Sequence, residues 1–176
     1  MNAKQNVMRP QDVVVLLKKV SPVGKDMTGK QLSESLGISQ SEISDSLERS
    51  RISGLLDPSK QRVNTLALRD FLIYGLRYVF PAIPSGVVRG MPTGISASPI
   101  KEKISHREES FVWPCSKGSY RGQAVQPLYP SVPLAAERDA DFYALMVAAD
   151  ALRFGRAREK DIAITVLENY FLRYAK

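Results

Sequence analysis

The chain has 176 residues, 44% of them hydrophobic and 24% charged, which is enough to bury one medium-sized core or two small ones. Its single cysteine and single histidine exclude an internal disulfide and leave few routes to metal-dependent or histidine-based catalysis. The net charge of +7 favours a polyanionic partner, nucleic acid first. No apolar run approaches the ~20 residues needed to cross a bilayer, so we expect a cytoplasmic protein with no membrane contact.

Three helices are predicted in the first part of the chain from the residues that begin and end them. The first begins at Pro10, because proline at the first helical position loses no hydrogen bond. The second fits a capping box in which Thr28 caps the helix and Gln31 reaches back to it, and Gly37 ends that helix. A second capping box at 39–42 begins the third helix, so the two short helices are separated only by a tight turn.

A small β-ribbon and a longer helix are predicted next. Residues 54–56 begin an extended segment, residues 57–60 (DPSK) are typical of a turn, and residues 61–63 form the return strand. Asn64 then caps a helix that we expect to continue to about Phe80, where a proline follows.

The middle of the chain, residues 81–135, contains most of the 11 prolines and therefore predicts no long helix. Residues 109–114 and 120–126 are interpreted as two short strands of a β-hairpin around 116–119. Residues 88–94 contain glycines but lack the spacing of a phosphate-binding loop.

The last part of the chain returns to helical periodicity. Residues 138–154 and 160–174 predict an antiparallel helical hairpin whose apolar stripes pack on the rest of the chain or on a second copy. The sequence thus predicts a mainly α fold with small β elements (α+β). It divides into three segments: a helical domain at 1–80, a Pro/Gly-rich region at 81–135 and a packing or dimerisation hairpin at 136–176.

The stretch TGKQLSESLGISQSEISDSLERSRISGLL at 28–56 resembles the winged helix–turn–helix domain of bacterial transcriptional regulators of the MarR and ArsR type. Six residues fall where that motif places its core and turn: Leu32, Leu36, Gly37, Ile38, Ile43 and Leu47. The sequence departs from the motif at Ser46 and Ser50, where an apolar residue is often found, and carries Asp45 and Glu48 on the third helix. The resemblance implies that residues 39–51 enter the DNA major groove as a recognition helix. The wing at 57–62 would then contact the adjacent minor groove or backbone.

This resemblance implies a set of DNA contacts and a homodimer on double-stranded DNA. Gln40 is the best candidate for reading a base, because its amide can pair with adenine at two atoms. The dimer would place two recognition helices one turn of DNA apart, about 34 Å. The candidate DNA-binding residues are Thr28, Lys30, Ser39, Gln40, Ser41, Ser44, Arg49, Arg51, Lys60, Gln61 and Arg62.

Catalysis and the binding of a protein partner are the two other functional classes that the sequence allows. Catalysis would need His106, Cys115 or a group of carboxylates; His106 is interpreted as a surface residue, and we expect no enzymatic activity, cofactor or metal site. The alternative function is an antitoxin-like or adaptor module that binds a protein partner through the winged helix and residues 81–176. The two are separated by whether Gln40, Ser44, Arg49 and Arg62 share an exposed face or are covered by residues 81–135.

Two further features have two interpretations each. The aromatic residues Trp113, Tyr120 and Tyr129 either line a pocket or simply pack beside prolines. The cationic residues between the last two helices either complement a helix C-terminus, which we favour, or form a second phosphate patch; they are Arg153, Arg156, Arg158 and Lys160.

Overall fold

Helices make up most of the chain, and one small three-stranded sheet lies between the N-terminal and C-terminal helices. The computed structural model describes residues 6–105 and 109–175, so His106 lies outside the described residues. The helices are α1 (Pro10–Val20), α2 (Gly29–Leu36), α3 (Gln40–Ile52), α4 (Thr65–Asp70), α5 (Leu76–Val79), α6 (Val132–Glu137), α7 (Ala140–Phe154) and α8 (Ala157–Tyr174), and the strands are β1 (Val87–Pro92), β2 (Phe111–Pro114) and β3 (Tyr120–Ala124). The predicted mixture of mainly α structure with small β elements is confirmed.

The predicted ends of the first helices are confirmed with one exception. Pro10 begins α1, and the capping box of α2 is complete, with the Thr28 hydroxyl accepting from the Gln31 amide. At α3 only half of the predicted box forms. The Ser39 hydroxyl accepts from the amide of Glu42, but the Glu42 carboxylate accepts from the Gln11 side chain at 2.6 Å instead of returning to the cap.

The predicted β-ribbon after α3 is reduced to a single bridge between Leu56 and Val63. The turn between them is fixed mainly by Asp57, whose carboxylate accepts hydrogen bonds from the Ser59 hydroxyl and from the amides of residues 61 and 62. Lys60 adopts a left-handed conformation in this turn, with φ of 60°. Because the carboxylate closes the turn locally, few ladder hydrogen bonds are needed to hold it.

The helix predicted from Asn64 to about Phe80 forms with an internal irregularity. The Asn64 side chain caps it, and a π-helical segment at Phe71–Gly75 separates α4 from α5. Its inner face buries Leu68, Leu72 and Leu76, whereas Leu66, Tyr74 and Tyr78 on the other side are 68–76% exposed.

The predicted β-hairpin is wrong, although both of its strands exist. β2 and β3 run parallel to one another, and each pairs antiparallel with β1, a strand that the sequence did not predict. The three strands form a small closed barrel. Glycine makes the close crossing feasible, because a Cβ at Gly90 would lie 2.0 Å from the Trp113 carbonyl oxygen and one at Gly118 would lie 2.4 Å from the Gly90 carbonyl oxygen.

The predicted C-terminal helical hairpin is confirmed. α7 and α8 pack against each other, and the Tyr170 hydroxyl near the end of α8 donates to Asp141 near the start of α7, so the helices are antiparallel. α7 is buried on nearly all sides and contacts α1, α5 and α6 as well as α8. The hairpin therefore buries its stripes against the rest of the same chain. The core includes residues from all three predicted segments, and the boundaries of those segments stay a prediction.

One buried ion pair and a group of hydrogen bonds tie α7 to distant parts of the chain. Lys18 on α1 donates to Asp139, the cap of α7, at 2.7 Å. Burial alone would raise the pKa of Asp139, but the hydrogen bonds from Lys18 and from the Phe142 amide lower it overall. Near the end of α7, Asp150 accepts from the Trp113 indole at 2.6 Å and, within the helix, from Arg153 at 2.7 Å.

The burial of Arg153 and of Trp113 decides between interpretations made from sequence. Arg153 lies in the last turn of α7, where the favoured interpretation places it. It is buried and also donates to the carbonyl oxygens of Phe80 and Gln126, so it is not part of a surface phosphate patch. Trp113 is fully buried. Tyr129 is half-buried and packs against the core, whereas Tyr120 is exposed.

Candidate nucleic-acid interface

The turn between α2 and α3 places the start of α3 at the surface. Gly37 has a φ of 65°, which glycine adopts without a Cβ clash, and the buried Ile38 follows it. The Ser33 hydroxyl donates to the Ile38 carbonyl oxygen, and the Ser131 hydroxyl donates to the Leu36 carbonyl oxygen, so residues near α6 also hold this turn. The orientation of α3 relative to α2 is therefore fixed from both sides.

Most of the candidate DNA-binding residues are exposed around this turn and around the turn at 57–62. Gln40 and Ser44 project from the first turns of α3, and Arg62 follows the second turn. Thr28 and Ser39 also serve as helix caps, so part of their hydrogen-bonding capacity is already used. The exposed members of the set are Thr28, Lys30, Ser39, Gln40, Ser41, Ser44, Gln61 and Arg62.

Arg49 was predicted to contact phosphate, and the structure corrects this prediction. Its guanidinium is buried and donates to both carboxylate oxygens of Asp12 on α1, at 2.7 and 2.8 Å. The hydrogen bonds that Arg49 donates to Asp12 raise the pKa of Arg49 above its ordinary value. A side chain that is committed to a buried carboxylate is not available to DNA, so Arg49 positions α3 against α1 instead.

Arg51 and Lys60 are half-buried, and both are paired with Glu48. Arg51 makes two hydrogen bonds to the Glu48 carboxylate, at 2.7 and 3.0 Å, and the Lys60 ammonium lies 2.7 Å from it. These hydrogen bonds, from Arg51 first and then Lys60, lower the pKa of Glu48 to about 2. Glu48 therefore connects the end of α3 to the turn at 57–62 and offsets part of the positive charge that these residues would offer to a phosphate.

The two serines that depart from the resemblance occupy core positions. Ser46 and Ser50 are both fully buried, and among the described residues neither hydroxyl has a hydrogen-bond partner. They lie on the same side of α3 as Arg49, because residues three or four apart are neighbours on a helix surface or close to it. The buried face of α3 is thus built around an ion pair and two small residues rather than around a wholly apolar stripe.

Sequence reasoning missed the role of the residues that begin α1. Asp12 accepts from the Arg9 amide as well as from Arg49, and Gln11 holds Glu42. One signal was present: Asp12 immediately precedes the apolar run VVVLL and lies one helical turn before Leu16, on the apolar face of the predicted helix. A lone carboxylate on that face requires a cationic partner, although the sequence does not say which one.

The described residues contain no helix that is long and apolar enough to span a membrane. Within residues 6–105 and 109–175, no three His, Cys, Asp or Glu side chains are grouped so as to hold a metal ion. No family model, curated protein or solved structure matches the chain.

Proposed function

We propose that the protein is a sequence-specific double-stranded DNA-binding transcriptional regulator that acts as a homodimer through a winged helix–turn–helix. The observation that carries the proposal is the exposed polar start of α3, which follows a tight left-handed turn at Gly37 and lies on a chain with a net charge of +7. Base-reading helices of this class present their first turns to the major groove.

In this proposal the first turns of α3 read base edges, and residues 57–62 contact the adjacent minor groove or backbone. Gln40 carries both a donor and an acceptor, which match the N6 and N7 atoms of adenine. Arg62 is exposed beside the turn and supplies a charge for a phosphate or for a narrow minor groove. Arg49 contributes by holding α3 on α1 through Asp12.

Fluorescence anisotropy with labelled duplex DNA tests this assignment. A pool of DNA selected from genomic fragments by the wild-type protein supplies the probe, and the titration is repeated at several salt concentrations. We expect Arg62→Ala to reduce the salt dependence of log K by about one phosphate contact. Gln40→Ala should lower affinity for the selected site by about tenfold but barely change binding to random DNA.

The matched control is Arg158→Ala, which removes one exposed arginine from α8, far along the chain from the proposed interface. It should bind as the wild type does. Equal effects of the Arg62 and Arg158 substitutions would refute the proposed surface. An empty selection from genomic fragments would refute the proposed function.

The second candidate is a module that binds a protein partner, and one observation favours it. The outer side of the helix at 65–79 exposes Leu66, Tyr74 and Tyr78, and Ile83 beyond it is 84% exposed. Clustered apolar side chains of this size are typical of protein interfaces. Light scattering on wild type and on a Tyr74→Ser/Tyr78→Ser variant measures whether this surface joins two copies. A monomer that fails to bind DNA would favour the partner-binding module.

A further inference from the structure

Glu48 on α3 holds two of the cations that were predicted to contact phosphate. Its Oε1 atom accepts from Arg51 Nη2 at 2.7 Å, and its Oε2 atom accepts from Arg51 Nε at 3.0 Å. The Lys60 Nζ atom lies 2.7 Å from the same Oε2 atom. Three donor atoms, two from the planar fork of Arg51 and one from Lys60, therefore converge on a single carboxylate.

The same set of donors suits a phosphate group. An arginine fork binds carboxylate and phosphate alike through two parallel N–H···O bonds, and a lysine adds a compact point charge. The two cations come from two elements, since Arg51 lies in the last turn of α3 and Lys60 lies in the turn at 57–62. That turn fixes the backbone of Lys60, whose amide donates to the Asp57 carbonyl oxygen at 3.0 Å.

The Glu48 ion pairs are open to solvent. The side chains of Glu48, Arg51 and Lys60 are each 36–38% exposed. Ion pairs at such exposure contribute little to stability, because water screens the charges and competes for their hydrogen bonds. The Arg49–Asp12 pair on the same helix differs, since its side chains are only 6% and 0% exposed. A phosphate can therefore reach Arg51 and Lys60, whereas it cannot reach Arg49.

Glu48 also changes the charge that a DNA backbone would meet. Two cations against one carboxylate leave a single net positive charge in this cluster. A phosphate that approaches it must either bind beside the carboxylate or take its place. Because backbone phosphates carry no sequence information, this cost is the same for every duplex.

We propose that Glu48 is an internal competitor of DNA phosphate, holding Arg51 and Lys60 until a backbone phosphate takes its place. The carboxylate then moves to water, and the three donors bind phosphate oxygens instead. Glu48 thereby sets how tightly the protein binds any duplex, while Gln40 still reads the bases. This inference rests on the proposed function, because it requires that α3 and the turn at 57–62 face DNA.

Fluorescence anisotropy with random-sequence duplex DNA, titrated at several salt concentrations, tests the proposal on the full chain. The test variant is Glu48→Gln, which keeps the size of the side chain and removes its charge. The matched control is Glu168→Gln on α8, which also removes one charge and releases an arginine, Arg69, from an ion pair at 2.7 Å. A double variant, Glu48→Gln/Lys60→Gln, has the same net charge as the wild type.

We expect Glu48→Gln to bind random DNA more tightly than the wild type does. The slope of log K against log salt should steepen by about 0.9 for each cation that gains a phosphate contact. At 0.1 M salt, one such contact corresponds to about eightfold tighter binding. The double variant keeps only the contact from Arg51, so its slope should lie between the other two. Glu168→Gln should bind nearly as the wild type does.

Three results would overturn the proposal. Weaker binding by Glu48→Gln would mean that the carboxylate positions the turn at 57–62 rather than competing with DNA. An equal gain in Glu48→Gln and Glu168→Gln would mean that net charge alone accounts for the effect. The third is an absence of duplex binding by both the wild type and Glu48→Gln at low salt. A gain confined to Glu48→Gln together with an empty selection from genomic fragments would support the role of Glu48 and refute sequence-specific regulation.

Discussion

Removal of the Arg49 guanidinium should destabilise the whole protein rather than only weaken DNA binding. In Arg49→Met the Asp12 carboxylate would stay fully buried, without the two hydrogen bonds at 2.7 and 2.8 Å that compensate for its loss of water. Breaking a buried pair in this way costs about 3–5 kcal/mol. That is a large share of the roughly 5–15 kcal/mol that a typical domain has in total.

The double variant Asp12→Leu/Arg49→Met separates the ion pair from the space it fills. With both charges gone the burial penalty disappears, and only the hydrogen bond from the Arg9 amide to Asp12 is lost, which costs about 1 kcal/mol. The double variant should therefore be more stable than Arg49→Met alone.

Thermal unfolding followed by circular dichroism measures both effects. For a chain of this size, a loss of 3–5 kcal/mol corresponds to a fall in Tm of roughly 6–20 °C. The exposed Arg62→Ala serves as the reference and should shift Tm very little. The reasoning would be refuted if Arg49→Met unfolded within about 1 kcal/mol of the wild type, or if the double variant were the less stable of the two.

Three other predictions concern α3 and the turns around it. The lowered pKa of Glu48 means that its contacts with Arg51 and Lys60 contribute stability above the ordinary pKa of 4.5 and lose that contribution as the pH falls towards about 2. A carboxyl-carbon NMR titration should show this pKa in the wild type and a higher pKa in Lys60→Gln, which keeps only the Arg51 contact. Gly37→Ala should lower the free energy of unfolding by about 1–2 kcal/mol, measured by denaturant unfolding, because alanine is strained at a φ of 65°. A denaturation midpoint equal to that of the wild type would contradict the assigned turn. Ser46→Ala and Ser50→Ala should each stabilise the fold by about 1 kcal/mol in the same assay, because each removes a buried hydroxyl that has no partner among the described residues. A loss of stability would mean that the hydroxyl forms a hydrogen bond.

The features that sequence predicted well are those encoded by neighbouring residues. Pro10, the Thr28–Gln31 capping box and the Asn64 cap each begin a helix where expected, because the groups that satisfy the first turn lie within three residues of it. The turn at 57–60 was predicted for the same reason. Asp57 closes it with hydrogen bonds to residues up to five positions away.

The features that sequence missed depend on partners far along the chain. β1 has the composition of an irregular loop, and it becomes a strand only because β2 and β3 pair with both of its edges. Arg49 has the sequence position of a phosphate contact, and its burial follows from Asp12, 37 residues earlier. Single-sequence patterns carry local propensity, whereas both of these outcomes were decided by tertiary pairing.

The ion pair between Lys18 and Asp139 has a consequence for folding during synthesis. The two residues are separated by 121 positions, and at 5–20 residues per second the carboxylate is made roughly 6–24 s after the lysine. During that interval Lys18 has no Asp139 partner, so the buried surroundings that α7 gives to α1 are not yet complete. We therefore expect the segment that carries the proposed DNA-binding surface to become fully native only once α7 has left the ribosome.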